Sequence, residues 1–292
     1  MIEQQTAIVR RFNRSYTQRI GALEDSFLGM GLPLPATRLM FEIGSQPGTV
    51  RDLRARLGLD SGYVSRLLRR LESDGLVAVE PDLADRRRRV AALTAKGQER
   101  WDELEARSED RARTLIDPLT PRQRARLTAA LAEADLLVRA ATVTLAETDP
   151  AEPEARAAVR RYFDELRDRF GFDSAGQDVK DAAMLCPPDG AFIVAVSDGL
   201  PVACGGLQTI APGIGEIKRM WVDEAWRGAG LGSRVLRDLE SRSAALGHHT
   251  LRLDTNGTLT EAIAMYERAG YQPVARYNDN SFATHFFEKT LF

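Results

Sequence analysis

Ile217-Lys218-Arg219-Met220-Trp221-Val222-Asp223-Glu224-Ala225-Trp226-Arg227-Gly228-Ala229-Gly230-Leu231-Gly232-Ser233-Arg234-Val235-Leu236 is the stretch on which the fold of this chain turns. Its first six residues, Ile217 to Val222, are rich in strand formers. A polar turn follows, then Arg-Gly-Ala-Gly-Leu-Gly, then the helical pattern Val235, Leu236, Leu239. Strand, glycine turn and helix start in that order make an anion site. Glycines let the backbone approach a ligand closely, and the free N–H groups of the first helical turn point at it.

The spacing excludes two familiar phosphate binders. Gly-x-Gly-x-x-Gly would indicate a dinucleotide fold and Gly-x-x-x-x-Gly-Lys-Ser/Thr a nucleoside triphosphatase; this chain has Arg227-x-x-Gly230-x-Gly232. That pattern resembles the acetyl-CoA pyrophosphate loop of the GNAT family of N-acetyltransferases, which reads Arg/Gln-x-x-Gly-x-Gly/Ala. A glycine-rich turn capping an ordinary helix would read the same way, and the sequence downstream favours the family. Leu253-Asp254-Thr255-Asn256, followed by Glu261-Ala262-Ile263-x-x-Tyr266-Glu267-x-x-Gly270-Tyr271, matches it in register. The resemblance runs over residues 155–292, with no specific motif in 155–190.

It implies a mixed α/β acyltransferase domain that uses acetyl-CoA (coenzyme A as acyl carrier) and no metal. The amides of Gly228, Ala229, Gly230, Leu231, Gly232 and Ser233 would serve the pyrophosphate, with Arg227 adding positive charge. Backbone groups of Met220 and Val222 would pair with the pantetheine, and a backbone N–H there would polarise the thioester carbonyl. The family places its Asn and Tyr beside the pantetheine and the sulfur, here Asn256 and Tyr266, the tyrosine giving a proton to the thiolate. Glu216 stands where many members carry a general base that acts through water. Each residue also has a plainer reading: Glu216 as a surface carboxylate beside Lys218, Tyr266 as a packed aromatic. The tail Tyr277-Asn278-Asp279-Asn280, then His285-Phe286-Phe287, reads equally as part of an acceptor site or as a surface hairpin.

The amino-terminal half carries a different pattern. Residues 5–29 read as one helix, with Ile8, Phe12, Tyr16, Ile20, Leu23 and Phe27 near helical spacing, broken by Gly31, Pro33 and Pro35. A second helix covers Ala36 to Ile43. Thr49-Val50-Arg51-Asp52 looks like a capping box opening a third, Val50 to Leu57. Asp60 caps a fourth, Ser61 to Ser73, with Val64, Leu67, Leu68 and Leu71 on its buried face. Ser61, Gly62, Ser65, Arg66, Arg69 and Arg70 lie elsewhere on that helix. A short helix, a Gly-containing turn and a basic second helix make a helix-turn-helix, whose second helix enters the major groove. Gly75 to Glu80 and Arg89 to Thr94 read as paired strands joined by a hairpin that carries Arg86, Arg87 and Arg88, which is a wing.

At this point residues 1–145 resemble the MarR family of winged helix-turn-helix regulators. The segments that carry it are Val64-Ser65-Arg66-Leu67-Leu68-Arg69-Arg70-Leu71-Glu72, Asp74-Gly75-Leu76-Val77, and Asp85-x-Arg87 followed by Leu93-Thr94. The resemblance implies double-stranded DNA as partner, Asp85 shaping the wing and Arg87 in the minor groove. It also implies a homodimer built on the terminal helices, which read as 95–117 and 121–143; a monomeric core is the other reading of the apolar stripe Leu127, Leu131, Leu136, Leu137, Val138.

Bulk composition agrees with two soluble domains. The chain has 292 residues, 43% hydrophobic and 28% charged. It has no run of roughly 18 apolar residues and no secretory start, so neither a membrane span nor export is expected. Two cysteines, Cys186 and Cys204, form no metal-like cluster with the three histidines, which fits a reduced cytoplasm and no zinc. Residues 1–150 carry 24 Lys/Arg against 22 Asp/Glu, and residues 151–292 carry 16 against 20. That difference is small; the cluster Arg66, Arg69, Arg70 and Arg86 to Arg89 matters more, because it is local.

The expectation is an α+β multidomain chain. A mostly α winged helix-turn-helix domain for DNA binding and dimerisation occupies 1–146, a Pro-bearing linker 147–154, and a mixed α/β GNAT domain 154–292. The acceptor is a small-molecule amine. Two rivals stand beside it: a regulator that binds acyl-CoA as a signal without turnover, and an enzyme whose winged helix only dimerises.

Overall fold

Thr49 opens its helix by a reciprocal capping box: its hydroxyl accepts from Asp52 N at 3.2 Å, and Asp52 Oδ2 accepts from Thr49 N at 3.1 Å. Asp60 opens the next, its carboxylate accepting from Tyr63 N at 2.9 Å. These local signals fix α3 (Val50–Leu57) and α4 (Ser61–Ser73) at the expected boundaries. They belong to a computed structural model that describes residues 2–82, 85–171 and 183–291. The chain divides into two compact units, Met1–Leu127 and Thr128–Phe292.

The first unit comprises α1 (Ile2–Arg19), α2 (Leu34–Ser45), β1 (Gly48–Thr49), α3, α4, β2 (Val77–Pro81), β3 (Arg89–Leu93), α5 (Ala95–Ile116) and the start of α6 (Pro121–Thr142). Strand order is β1-β3-β2, all antiparallel. Leu39, Met40 and Ile43 of α2 meet Leu53 of α3 and Val64, Leu67, Leu68 and Leu71 of α4 in one core. The first helix is shorter than expected. Ala22 N bonds Thr17 O at 3.0 Å, Gly21 N bonds Gln18 O at 3.3 Å, and Gly21 takes φ +75°. That paired closure ends α1 at Arg19. Leu23 and Phe27 therefore lie beyond the helix whose spacing they continue.

The second unit holds a seven-stranded sheet in the order β4-β5-β6-β7-β8-β10-β9 among the described residues. Its elements are β4 (Leu145–Glu147), α7 (Pro153–Phe170), β5 (Gly190–Ser197), β6 (Leu200–Ala211), β7 (Ile214–Val222), α8 (Leu231–Ala245), β8 (Thr250–Thr255), α9 (Thr260–Arg268), β9 (Gln272–Pro273) and β10 (His285–Thr290). Alternation along the strands sorts two cores. Phe192, Val194, Cys204 and Trp221 face α7, whereas Ile193, Ala203, Ile217 and Leu253 face α8 and α9.

The division between units precedes the expected linker. Leu136 and Ala140, in the last turns of α6, pack into the α8 core, and β4 pairs with β5 from Leu145↔Ala195 to Glu147↔Ile193. The Arg234 guanidinium donates to Ala140 O and, at 2.9 Å, to Val143 O, so it satisfies carbonyls at that helix end. No helix among the described residues is long and apolar enough to cross a membrane.

One buried histidine ties stability to pH. His248, 2% exposed, lies between Ser243 and Thr209, each 2.9 Å from a ring nitrogen. Thr209 donates its hydroxyl proton to Asp189 O at 2.7 Å, so it accepts from His248 Nε2–H, and Nδ1 shares a hydrogen bond with the Ser243 hydroxyl. Burial, with His249 second, lowers the His248 pKa. The unfolded chain takes a proton there as pH falls through about 6.5, before the folded one does. Stability from His248 is complete above that pH and is lost below it. The melting temperature should drop between about pH 7 and pH 5.5, and His248→Gln, less stable at neutral pH, should show a smaller drop. An equal drop in the variant would remove His248 from the account.

Candidate functional site

The glycine loop lies between β7 and α8. Asp223 Oδ1 accepts from Ala225 N at 3.0 Å and turns the chain through Glu224–Trp226, whose Trp226 is buried. Gly228 and Gly230 take φ +79° and +84°, and a Cβ on either would meet nothing within 4 Å. Backbone shape, not crowding, asks for glycine at both positions, and it leaves open space over the loop. Gly232 differs, because a Cβ there would come within 3.1 Å of Met265 Sδ on α9. α8 starts with no side-chain cap, so the first N–H groups of Leu231, Gly232 and Ser233 keep the anion-attracting end of the helix free of a side-chain acceptor. Gly228, Gly230, Gly232 and Ser233 line a cavity of about 520 Å³ with Val222 and Arg227. The Leu231 side chain is in the core, with Ala229 packed against it, so both can offer only backbone.

Arg227 is held by a carboxylate and a carbonyl. Its Nε donates to Val222 O at 3.0 Å and its Nη2 to both oxygens of Glu165 at 2.5 Å. Glu165 also accepts from Trp221 Nε1 at 2.8 Å and pairs with Arg169 at 2.8 Å. Arg227 thus braces the loop against α7. Glu165, sixty-two positions earlier in the chain, was not found by sequence reasoning, which has no local signal for it.

β7 opens the channel. It pairs in parallel with β8 only from Ile214↔Thr250 to Ile217↔Leu253, and beyond that no pairing joins them. On the other side Cys204 faces Trp221 and Gly206 faces Lys218, so Arg219 and Met220 stand opposite Gly205 alone in a bulge, with Arg219 at φ +51°. Asp223 N donates to Val202 O at 2.9 Å, which fixes the alternation: Trp221 bonds towards β6, and Val222 turns its groups to the open side. Val222 O accordingly receives Arg227 Nε. Met220, one residue before Trp221, lines the channel.

A second cavity of about 520 Å³ adjoins the first, with Tyr162, Leu166, Met220, Leu259, Ala262 and Tyr266 in both walls. The Tyr266 hydroxyl has Met220 Sδ as its neighbour at 3.8 Å, a weak acceptor. Burial, then Asp254, raises the pKa of Tyr266 and of Tyr162, so both phenols hold their protons at neutral pH. Cys204 is buried too, its thiol pushed up to about 12, and it donates to Arg219 O at 3.3 Å; a protonated, enclosed thiol is no nucleophile.

Glu216 is no surface residue: it is 3% exposed and lines the second cavity. Its Oε2 accepts from Gln208 Nε2 at 2.7 Å, and its Oε1 from Tyr277 OH at 2.9 Å, Asn278 Nδ2 at 3.1 Å and Lys218 Nζ at 3.0 Å. Lys218 bridges to Asp254 Oδ1 at 2.7 Å, and Asn280 donates to Asp254 Oδ2. Burial works against the Lys218 charge, but Glu216 and then Asp254 outweigh it and raise the lysine pKa. Of the tail that the sequence left open between two readings, Asn278, Asp279 and Asn280 line this cavity and Tyr277 reaches Glu216, while His285, Phe286 and Phe287 do not line it. Asn256 also lines this cavity and not the first. Its Nδ2 donates to Phe282 O at 2.7 Å and its Oδ1 accepts from Thr258 N at 2.9 Å, so its side chain ties down the chain before β10.

In the first unit Ser61, Gly62, Ser65, Arg66, Arg69 and Arg70 are all exposed on α4, opposite its buried leucines. The Arg66 guanidinium lies 5.5 Å from the centre of the Tyr63 ring, and Arg69 Nε bonds Ser65 O at 3.3 Å. Arg86, Arg87 and Arg88 are exposed on the connection between β2 and β3. Asp85 shapes it: Oδ1 accepts from Arg87 N at 3.0 Å, and Oδ2 pairs with Arg88 Nε at 3.4 Å. The two basic clusters lie on separate elements of one unit, and no cation among these six arginines is buried.

Comparison with known proteins covers both halves. Residues 30–88 match the model of the MarR family, and residues 153–271 that of the acetyltransferase (GNAT) family. A solved transcriptional regulator (MarR family) from Rhodococcus sp. RHA1 is 21% identical, aligning 44% of this chain with 93% of its own at a TM-score of 0.38. An IAA acetyltransferase from Azospirillum brasilense is 31% identical over 155 residues, 51% of this chain and 98% of that protein. An uncharacterized N-acetyltransferase from Schizosaccharomyces pombe is 30% identical over 129 residues, 42% of this chain and 77% of that protein. The chain therefore belongs to the GNAT family of acetyltransferases through its second half and carries a MarR family region in its first.

Proposed function

We propose that this protein is a cytoplasmic, homodimeric DNA-binding regulator that also transfers an acetyl group from acetyl-CoA to a small-molecule amine. The observation that carries the reading is the meeting of two cavities at Tyr266 and Met220, one walled by the glycine loop, the other by the Glu216 network. Open space at Gly228 and Gly230 and the uncapped start of α8 fit a pyrophosphate. When bound, acetyl-CoA supplies its acetyl group as a thioester, whose C–S bond breaks as the amine's C–N bond forms. The amides of residues 228–233 hold the phosphates, and the Met220 and Val222 backbone of β7 aligns the pantetheine. Glu216, paired with Lys218, takes the ammonium proton through water, and Tyr266 gives its own to the leaving thiolate. Release of CoA thiol with a panel of primary amines tests the enzyme reading; acetyl-CoA binding without release from any of them would sink it.

One observation favours a second reading, a regulator that senses acyl-CoA without turnover: Glu216 Oε1 already accepts three donors. The same thiol-release panel separates the two. Homodimerisation is supported by the exposed apolar residues Ile8, Val9, Phe12 and Tyr16 on α1 and Leu131, Leu137 and Val138 on α6.

For the first unit, phosphate contacts from α4 and the wing predict a salt-dependent affinity for duplex DNA. Each contact removed should flatten the log–log salt slope by about 0.9. Arg66→Ala and Arg87→Ala, in a shift assay on the protein's own promoter region, should each lower affinity and reduce the slope by roughly that amount. Unchanged affinity and slope in both would refute the recognition-helix-and-wing assignment.

A further inference from the structure

The loop residues 227–233 lie between Trp226 and Arg234, and the end of α6 holds both of these neighbours. Before the loop, the Arg139 guanidinium stands over the Trp226 ring, 4.8 Å from its centre. Its Nη2 also donates to Ser197 Oγ at 2.8 Å and to the Asp198 carboxylate, both in the turn between β5 and β6, and its Nη1 pairs with Asp135 at 3.5 Å. A planar guanidinium can stack on an indole and donate from its edge at once. After the loop, Arg234 N bonds Gly230 O at 3.1 Å within the first turn of α8, and the Arg234 guanidinium reaches back to Ala140 O and Val143 O. We propose that Arg139 and Arg234 are positioning residues for acetyl-CoA: the end of α6 clamps the glycine loop at both of its ends, in the shape that receives the pyrophosphate.

The loop needs such restraint from outside. Gly228 and Gly230 are the residues whose backbone is least confined, and a Cβ on either would meet nothing within 4 Å, so neighbouring atoms do not fix their shape. Amides that must converge on one anion bind it more tightly when the loop is ordered beforehand. Glu165 on α7 supplies one restraint, at Arg227. The α6 clamp supplies the others, at Trp226 and Arg234. Trp226 lines the loop cavity, whereas neither Arg139 nor Arg234 is among its described lining, so both arginines act through other residues and not on the ligand. Residues 139–143, the source of the clamp, precede the stretch 153–271 that matches the acetyltransferase family, so the clamp comes from outside that match.

The inference rests on the acetyl-CoA reading of the loop, and calorimetry with acetyl-CoA on the full chain, beside a thermal melt, separates the two. Arg139→Ala and Arg234→Met should each bind acetyl-CoA about fivefold or more weakly than wild type, with the chain still folded. Arg139→Lys and Arg234→Gln keep part of each donor set and should fall in between; they carry the test where a harsher variant does not fold. With an amine found by thiol release, the loss should appear in KM for acetyl-CoA, while kcat changes by about twofold or less. Arginines that only stabilised the fold would lower the melting temperature and leave KM where it was, which would overturn the inference. Unchanged acetyl-CoA affinity in either Arg139→Ala or Arg234→Met would also overturn the two-ended clamp. Failure of wild type to bind acetyl-CoA would instead overturn the reading of the loop, and this inference with it.

Discussion

Gly230→Glu is expected to weaken acetyl-CoA binding by about 100-fold or more while the chain stays folded, since like charges set against each other cost several kcal/mol. At φ +84° a side chain on residue 230 carries strain of about 1–2 kcal/mol, which a folded domain tolerates. A Cβ there meets nothing within 4 Å, so the carboxylate harms no packing and instead enters the open space over the uncapped start of α8. That is where the pyrophosphate would lie, and the new charge would also take up the N–H groups meant for it. Gly230→Ala, with the same backbone strain and no charge, should lose much less. Titration calorimetry beside a thermal melt reads both quantities. Near-normal affinity in the glutamate variant would move the phosphate site elsewhere.

Tyr266→Phe should lower turnover by about 10²–10⁴-fold with acetyl-CoA affinity nearly intact, the usual size of a lost acid–base group. The hydroxyl is suited to the task by what surrounds it. Its neighbour is a thioether at 3.8 Å, so its proton is committed to no strong acceptor, and burial keeps it protonated until a thiolate forms beside it. The ring stands 5.9 Å from Tyr271 and 6.2 Å from Phe287, contacts that phenylalanine keeps, so stability should change little. Tyr162 lines the same junction and is the control: Tyr162→Phe should cost less than Tyr266→Phe. If Tyr162→Phe carries the larger loss, the proton donor is on α7 and Tyr266 is a packed aromatic.

What the sequence made legible is what is encoded locally. The Thr49–Asp52 box and the Asp60 cap are three residues across, and they gave α3 and α4 to the residue. The glycine loop is a spacing of six residues; of its two positive-φ glycines, Gly230 stands at a position the pattern specifies and Gly228 at one it leaves free. What the sequence does not announce are partners distant in the chain. Nothing near Arg227 in sequence announces Glu165 on α7. The tie of Asn256 to Phe282 O spans 26 positions. Leu136 reads as part of a dimer stripe, yet it packs into the core that α8 helps form, nearly a hundred residues later. Periodicity failed once, at Leu23 and Phe27, where a glycine closure overrode a helical spacing that carried on past it.

The central claim is that acetyl transfer occurs at the junction of the two cavities, with the phosphates held by the glycine loop. The most direct measurement follows CoA thiol and N-acetylated amine together, in one reaction mixture, for wild type and Gly230→Glu. The account predicts that both products rise in equal amounts with wild type and that neither rises with the variant. Thiol release without acetylated amine, or equal rates in the two proteins, would contradict it.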